Sequence, residues 1–226
     1  MKGISKHKKV TLLAFVALIL LGCSTEKNSA INRGYHNVTA RYNGYFNAKE
    51  SVNEGVRKLN DSHKENYEEI LPIYVYGDES AARSVYPQMD RAIEKSSYVI
   101  NNHSMYIKKV EYCSWIDDSY FLIGKASFYK KDFEKAEEML VYVASEYKED
   151  QIRFDAMLWL ARTYIESEEF SNARGYIDKC NVDEFPEKKL AELKAVKADF
   201  YLKQENYESA AKELKNALEF TKRRED

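Results

Sequence analysis

Side chains able to carry acid–base or metal chemistry are few and scattered. Beyond the leader described below, the histidines are His36, His63 and His103, and none has a second ligand at metal-like spacing. Asp117 and Asp118 are adjacent carboxylates close to Cys113. At a helix start such acids serve the free N–H groups and the helix dipole more often than catalysis. No nucleophile elbow, phosphate loop or zinc-protease pair occurs in the chain. Cys113 and Cys180 make at most one pair, too few for a disulfide framework, and read as small buried residues. The expectation is a non-enzyme that needs no cofactor and acts on no small-molecule substrate.

A third cysteine stands in a different context. Lys2, Lys6, Lys8 and Lys9 precede a largely apolar stretch from Val10 to Leu21. A helix needs about 20 apolar residues to span a bilayer, so residues 1–22 read as a signal peptide. The junction Leu20-Leu21-Gly22-Cys23 resembles the bacterial lipoprotein box, with Leu21 bulkier than the usual occupant of its position. That resemblance implies that Cys23 is acylated and becomes the first residue after cleavage. Two or three acyl chains hold a protein essentially permanently, whereas one holds it marginally. Ser24, followed by the single acid of Thr25-Glu26-Lys27, points to the periplasmic face of the outer membrane. Residues 23–33 are mostly polar and are expected to form a lipidated tether.

Composition narrows the fold class. Glycine (8) and proline (3) are scarce and 32% of residues are charged, a mixture suited to long helices. Four of the 35 basic residues lie in the leader, so the remainder carries 31 against 37 acidic residues. Such a body has no basic footprint for nucleic acid.

Repetition then fixes the architecture. SYFLIGKASFYKKDFEKAEEMLVYV from Ser119, AMLWLARTYIESEEFSNARGYIDKC from Ala156 and LKAVKADFYLKQENYESAAKELKNA from Leu193 align without gaps, 37 residues apart. Gly124, Ala161 and Ala198 share a column, as do Ala136, Ala173 and Ala210; Phe133, Phe170 and Tyr207 form an aromatic column. Lys131-Asp132, Glu168-Glu169 and Glu205-Asn206 are the expected turns between paired helices. The pattern resembles the tetratricopeptide repeat, a helical hairpin whose small residues let its two helices approach closely. Ser127 replaces the tyrosine of Tyr164 and Tyr201, and Lys197 stands where leucine belongs. The expectation is an all-α, tetratricopeptide-like hairpin array, an α-solenoid. It has three repeats over residues 114–226 and a divergent helical region over 34–113.

Punctuation adds detail. Ser114 and Asp150 read as N-terminal caps of the first two units, and Pro186 fits the first turn leading into the third. Upstream, Val38, Tyr42 and Tyr45 mark one helical face and Ala48, Val52, Val56 and Leu59 another. Asn47 is expected as a left-handed stop between them, giving a divergent hairpin. Pro72 makes Ile70 to Gly77 extended, and a helix is expected from Pro87 to Asn101. At the far end, Leu214, Leu218 and Phe220 are expected to face outward on the last helix.

Arrays of this kind bind extended segments on the concave face formed by their first helices. That face would carry Phe121, Lys125, Phe128 and Tyr129, then Leu158, Arg162 and Ile165, then Asp199, Leu202 and Lys203. Lys125 and Arg162 occupy one column. Two other outcomes stand beside partner binding: a merely solvated face, or one filled by the chain's own Ile70 to Tyr76.

Three stretches carry a narrower likeness: YHNVTARYNGYFNAKESVNEGVRKL from Tyr35, ILPIYVYG from Ile70 and WIDDSYFLIGKASFYKKDFEKA from Trp115. Together with Cys23 they resemble the start of gliding-motility and type IX secretion lipoproteins of the SprE/PorW type. The resemblance implies a periplasm-facing scaffold held in the outer membrane by acyl chains. Its implied partners are the secretion translocon and the periplasmic ring and motor proteins. Such proteins are longer than 226 residues, so this chain is expected to correspond to their N-terminal part. A β-barrel assembly lipoprotein of the BamD type is the alternative, which the Tyr35 and Ile70 stretches disfavour.

Overall fold

The computed structural model describes residues 25–222. The leader and Cys23 lie outside them. A continuous helical rod opens the fold, with α1 over Ala30–Thr39, a π-helical turn over Ala40–Tyr45 and α2 over Phe46–Ser62. Short α3 (Glu79–Ser84) and long α4 (Tyr86–His103) follow, then a two-stranded hairpin, β1 (Tyr106–Ile107) with β2 (Val110–Glu111). Three helical hairpins complete the array: α5 (Ile116–Tyr129) with α6 (Phe133–Glu146), α7 (Ile152–Glu166) with α8 (Phe170–Lys179), and α9 (Leu190–Lys203) with α10 (Tyr207–Lys222). From α4 onward each helix packs mainly on its neighbours in sequence, as a one-dimensional array requires, while α2 packs on α4 across the short α3. The fold is the expected all-α repeat array.

The three hairpins share one turn chemistry. Lys131, Glu168 and Glu205 are left-handed, with φ of 59°, 62° and 59°. The next residue's N–H reaches back to the helix: Asp132 to the Ser127 carbonyl (3.0 Å), Glu169 to Tyr164 (2.8 Å), Asn206 to Tyr201 (2.9 Å). Each left-handed residue's own N–H bonds Phe128, Ile165 or Leu202. This is the Schellman closure, which satisfies carbonyls that a helix end leaves free. Asp132 and Asn206 then cap the following helix through their side chains, accepting from the Lys135 and Ser209 N–H groups.

The small-residue columns close the pairs. Ala136, Ala161, Ala173 and Ala198 have no exposed surface, and Ala210 has 3%. A Cβ on Gly124 would lie 2.7 Å from Leu140 Cγ. Ser127 is buried where the other units have tyrosine, and neighbouring Phe128 supplies the ring, packed against Phe133 and Trp159. Lys197 fits at the leucine position by donating to Asn181 Oδ1.

Several local expectations are corrected. Asn47 is no stop: it lies inside the rod, its amide donating to the Asn43 carbonyl. Val38 and Tyr42 point outward, while Asn32, His36, Ala40, Gly44, Ala48 and Val52 form the buried stripe. That stripe recurs every four residues, which an α-helix at 3.6 per turn would carry around its axis. The wider π turn restores the register, so the rod stays against α4. The first helix pair is therefore α2 with α4, not a hairpin broken at Asn47.

Helix α1 begins at Ala30, capped by Ser29 accepting from the Asn32 N–H (3.2 Å), so the expected tether to residue 33 is shortened. Neither Ser114 nor Asp150 caps: the helices start after Trp115 and Gln151, which make no side-chain cap bond. Ser114 instead gives its N–H to Asn37 Oδ1, tying α5 to α1. Pro186 opens a 3-10 turn (Glu187–Lys189) leading into α9. Helix α4 matches its expected span within two residues at its C-terminal end, with Pro87 in its first turn. Leu214 and Leu218 on α10 are exposed, and Phe220 is half-buried.

Candidate functional site

The concave side of the repeats is not an open groove. Residues 70–77, an irregular non-helical strap with a bend at Ile73 and Tyr74, run across it. Tyr76 inserts between α5 residues, its ring 4.7 Å from Phe128 and 6.1 Å from Tyr129, and Tyr74 stacks on Tyr76 at 5.6 Å. Gly77 ends the strap with a φ of 73°, and a Cβ there would meet Ala81 at 2.6 Å. Only glycine satisfies both the left-handed backbone and that close approach.

Arg162 is the clasp. Its guanidinium donates to Tyr74 Oη (3.1 Å) and to Glu192 Oε1 (2.8 Å), and it lies over the Tyr74 and Trp159 rings at 4.3 and 4.8 Å. Only 6% of the residue is exposed. A planar guanidinium can stack and donate in its plane at once, which a lysine cannot do. Lys125, one repeat earlier, lies over Trp159 at 4.6 Å and over Phe121 at 5.6 Å. Burial, reinforced by the charge of Arg162, pulls its pKa down to about 8.

The expected groove residues therefore divide. Phe128, Tyr129, Leu158, Arg162 and Ile165 are buried, so as a partner-binding surface they are corrected to core and clasp. Phe121 and Lys125 are half-buried beside Trp159. Leu202 and Lys203 remain accessible, with Asp199 beneath them. Of the three outcomes the sequence allows for the concave face, filling by the chain's own strap is the one present.

What stays open flanks the strap. A cleft of about 400 Å³ lies between the strap and the end of α2, bounded by Leu59, His63, Tyr74, Glu166 and Lys203. A second, of about 260 Å³, is lined by Ile70, Pro72, Tyr74, Asp199, Leu202 and Tyr207. Lys203 borders both and pairs with Glu166 at 2.7 Å. Asp199 is 3% exposed, and among the described residues its Oδ2 has no hydrogen-bond partner. Burial, with Glu166 adding to it, pushes the carboxyl pKa up to about 6 against the opposing pull of Lys203 and Arg162. The second cleft thus offers an apolar and aromatic wall with one buried carboxylate. That suits a side chain with a hydrogen-bond donor better than a reaction.

Elsewhere, the structure joins residues that spacing kept apart. His36 Nδ1 and His103 Nδ1 are 3.0 Å apart, one donating and one accepting, and link α1 to the end of α4. Burial holds both below the usual histidine range, and His36 adds to the lowering at His103. Among the described residues no three His, Cys, Asp or Glu side chains gather as a metal set. Cys113 and Cys180 are free and buried, burial pushing their thiols to about 11 and about 12. Thiols so held are not reactive nucleophiles. Asp117 and Asp118 occupy the first turn of α5; burial, with Asp117 nearby, pushes Asp118 up to about 6.

A comparison with curated proteins finds no match to the chain. The family model described as a tetratricopeptide repeat-like domain matches residues 73–225, more than half of the chain. The matched span begins within the strap and runs through all three hairpins, whose turns and alanine columns are the features just described. Domains of this kind are typically non-catalytic scaffolds for protein partners. By that match and that architecture, the chain belongs to the tetratricopeptide repeat-like family.

Proposed function

We propose that this protein is a lipid-anchored scaffold of the type IX secretion and gliding machinery, held at the periplasmic face of the outer membrane through Cys23. On this reading its protein partners are the secretion translocon and the periplasmic ring and motor components. The observation that carries the proposal is the convergence of the three stretches behind the family resemblance. Tyr45 of the first packs on Trp115 of the third at 4.8 Å, and Tyr76 of the second packs on Phe128 of the third at 4.7 Å. Leu59, at the end of the first, lies beside Gly77. Stretches far apart in sequence thus pack against one another, which supports reading them as a single inherited module.

Because the strap occupies the concave face, partner contact moves to its flank, where Pro72, Tyr74, Leu202, Lys203 and Tyr207 are accessible around Asp199. The test is a photo-crosslinking residue at Leu202, expressed in living cells, with its adducts identified by mass. Translocon, ring or motor components are expected. Barrel-assembly proteins in their place would support the BamD-type reading. Adducts to neither set would sink both.

A further inference from the structure

The N-terminal rod is amphipathic in the wrong sense for a helix that only packs on its own protein. Its buried stripe is small or polar: Asn32, His36, Ala40, Gly44 and Ala48. Its outward stripe is large and apolar: Ile31, Tyr35, Val38, Tyr42 and Phe46, each between 47% and 81% exposed. These five recur at three- and four-residue intervals, so they form one continuous face along α1, the π turn and the first residue of α2. Scattered exposed apolar residues need no explanation, but a contiguous aromatic stripe marks an interaction surface.

Charge says what kind of surface it meets. From Lys27 to Lys49 the chain has four basic residues and no acidic one. From residue 50 onward there are 27 basic and 36 acidic residues. Arg41 lies over both the Tyr42 ring of the rod and the Trp115 ring of the adjoining body, 5.2 Å from each, and Arg33 lies over Tyr112 of that body at 5.5 Å, so both arginines run along the edge of the rod. Long basic side chains along the edge of an apolar, tyrosine-bearing face form the pattern of helices that lie in a bilayer interface. Among the described residues no helix is long and apolar enough to cross a membrane, so the face would rest on the lipid. Covalent geometry adds reach: Ile31 is eight residues after Cys23, at most about 28 Å of chain.

We propose that the Ile31–Phe46 face docks on an anionic phospholipid surface. It thereby holds the rod flat on the membrane and sets the direction in which the repeats project. The inference rests on the anchored reading of Cys23 and deepens it, because acyl chains alone tether a protein without orienting it.

The full-length mature protein, purified in detergent and reconstituted into vesicles containing phosphatidylglycerol, provides the test. Val38→Cys carries a nitroxide; Cys113 and Cys180 are buried, the signal of the identically treated parent protein is subtracted to remove any label on an unacylated Cys23, and Glu208→Cys on α10 serves as the aqueous control. Collision rates with oxygen and with a water-soluble nickel chelate report depth. The expected result is a several-fold higher oxygen-to-chelate ratio at position 38 than at 208, falling when phosphatidylcholine replaces the anionic lipid. Equal ratios at the two positions overturn the proposal. So does dipolar broadening at position 38, which would mean that a second copy covers the face. Mass measurement of the N-terminal peptide reads acylation separately. An acylated Cys23 with a water-exposed label refutes the docking face alone. An unacylated Cys23 with a buried label refutes the anchor and supports the face.

Discussion

The N-terminal rod and the three repeat hairpins solve the same problem, bringing two helices close, with opposite use of glycine. In the rod, Gly44 sits in the π turn and Gly55 in ordinary α-helix, where a Cβ would overlap Val99 Cγ2 and the Met89 methyl respectively. In the hairpins close approach falls chiefly to alanine. The left-handed positions that would suit glycine hold Lys131, Glu168 and Glu205 instead. The rod therefore depends on contacts made once, between particular residues. The array depends on a device used three times, each copy slightly strained but backed by its neighbours. Damage should be local and severe where a device is unique, and mild where it is repeated.

The strap is the most singular device, so its clasp gives the largest expected effect. Arg162→Ala removes the donor to Tyr74 and leaves Glu192 without its partner. Breaking a buried ion pair costs about 3–5 kcal/mol, and the lower end applies because Glu192 keeps a third of its side-chain surface in water. Urea denaturation should show a loss of about 3 kcal/mol. Proteolysis should also open within residues 64–73. A loss within the range of surface pairs, below about 1 kcal/mol, would mean that the strap is held by its tyrosines alone.

Which parts were legible in the sequence follows the same division. The array was visible because each contact repeats: the columns at Gly124, Ala161 and Ala198 and at Ala136, Ala173 and Ala210 lie at one spacing, as do the turns. Pro72 marks the strap as non-helical, which the structure bears out, although the strap is bent at Ile73–Tyr74 rather than extended. The chain's own Ile70 to Tyr76 is one of the three outcomes the sequence leaves open for the groove. The strap's clasp was not legible, because Tyr74 and Arg162 are 88 residues apart and nothing local couples them. The His36–His103 pair, 67 residues apart, was missed for the same reason. The π turn was hidden because its signal is a four-residue period of small and polar residues, opposite to the apolar face that helix reading follows. The apolar face marked by Val38 and Tyr42 turns outward, and it is the small and polar face that packs.

Gly44→Ala tests the rod side of the comparison at intermediate size. The new methyl must displace Val99, whose branched side chain has little rotamer freedom, and it also nears the Lys95 carbonyl. Overpacking of this kind costs about 1–3 kcal/mol. The loss should concentrate at α1 and the end of α4, read as faster amide exchange there with α7 to α10 unchanged. A uniform loss across the chain would show that rod and array unfold as one cooperative body.

The smallest expected effect is a gain, and it tests whether the repeated turn carries strain. Glu205 has φ of 59° and is exposed, and its N–H closes on Leu202. A side chain in the left-handed region costs about 1–2 kcal/mol relative to glycine. Glycine also enlarges the unfolded ensemble, which takes back about half of that gain. Glu205→Gly should therefore raise stability by about 0.5–1 kcal/mol, and Glu168→Gly should do the same. Lys131→Gly should gain less, because Lys131 Nζ pairs with Glu166 at 3.7 Å and lies 5.9 Å from the Phe133 ring centroid. Urea midpoints of the three single variants, compared at equal slope, decide the order. If Glu205→Gly and Glu168→Gly lower the midpoint, the left-handed carboxylate residues contribute something beyond backbone geometry. The array would then owe its tolerance to its side chains rather than to its repeated turn.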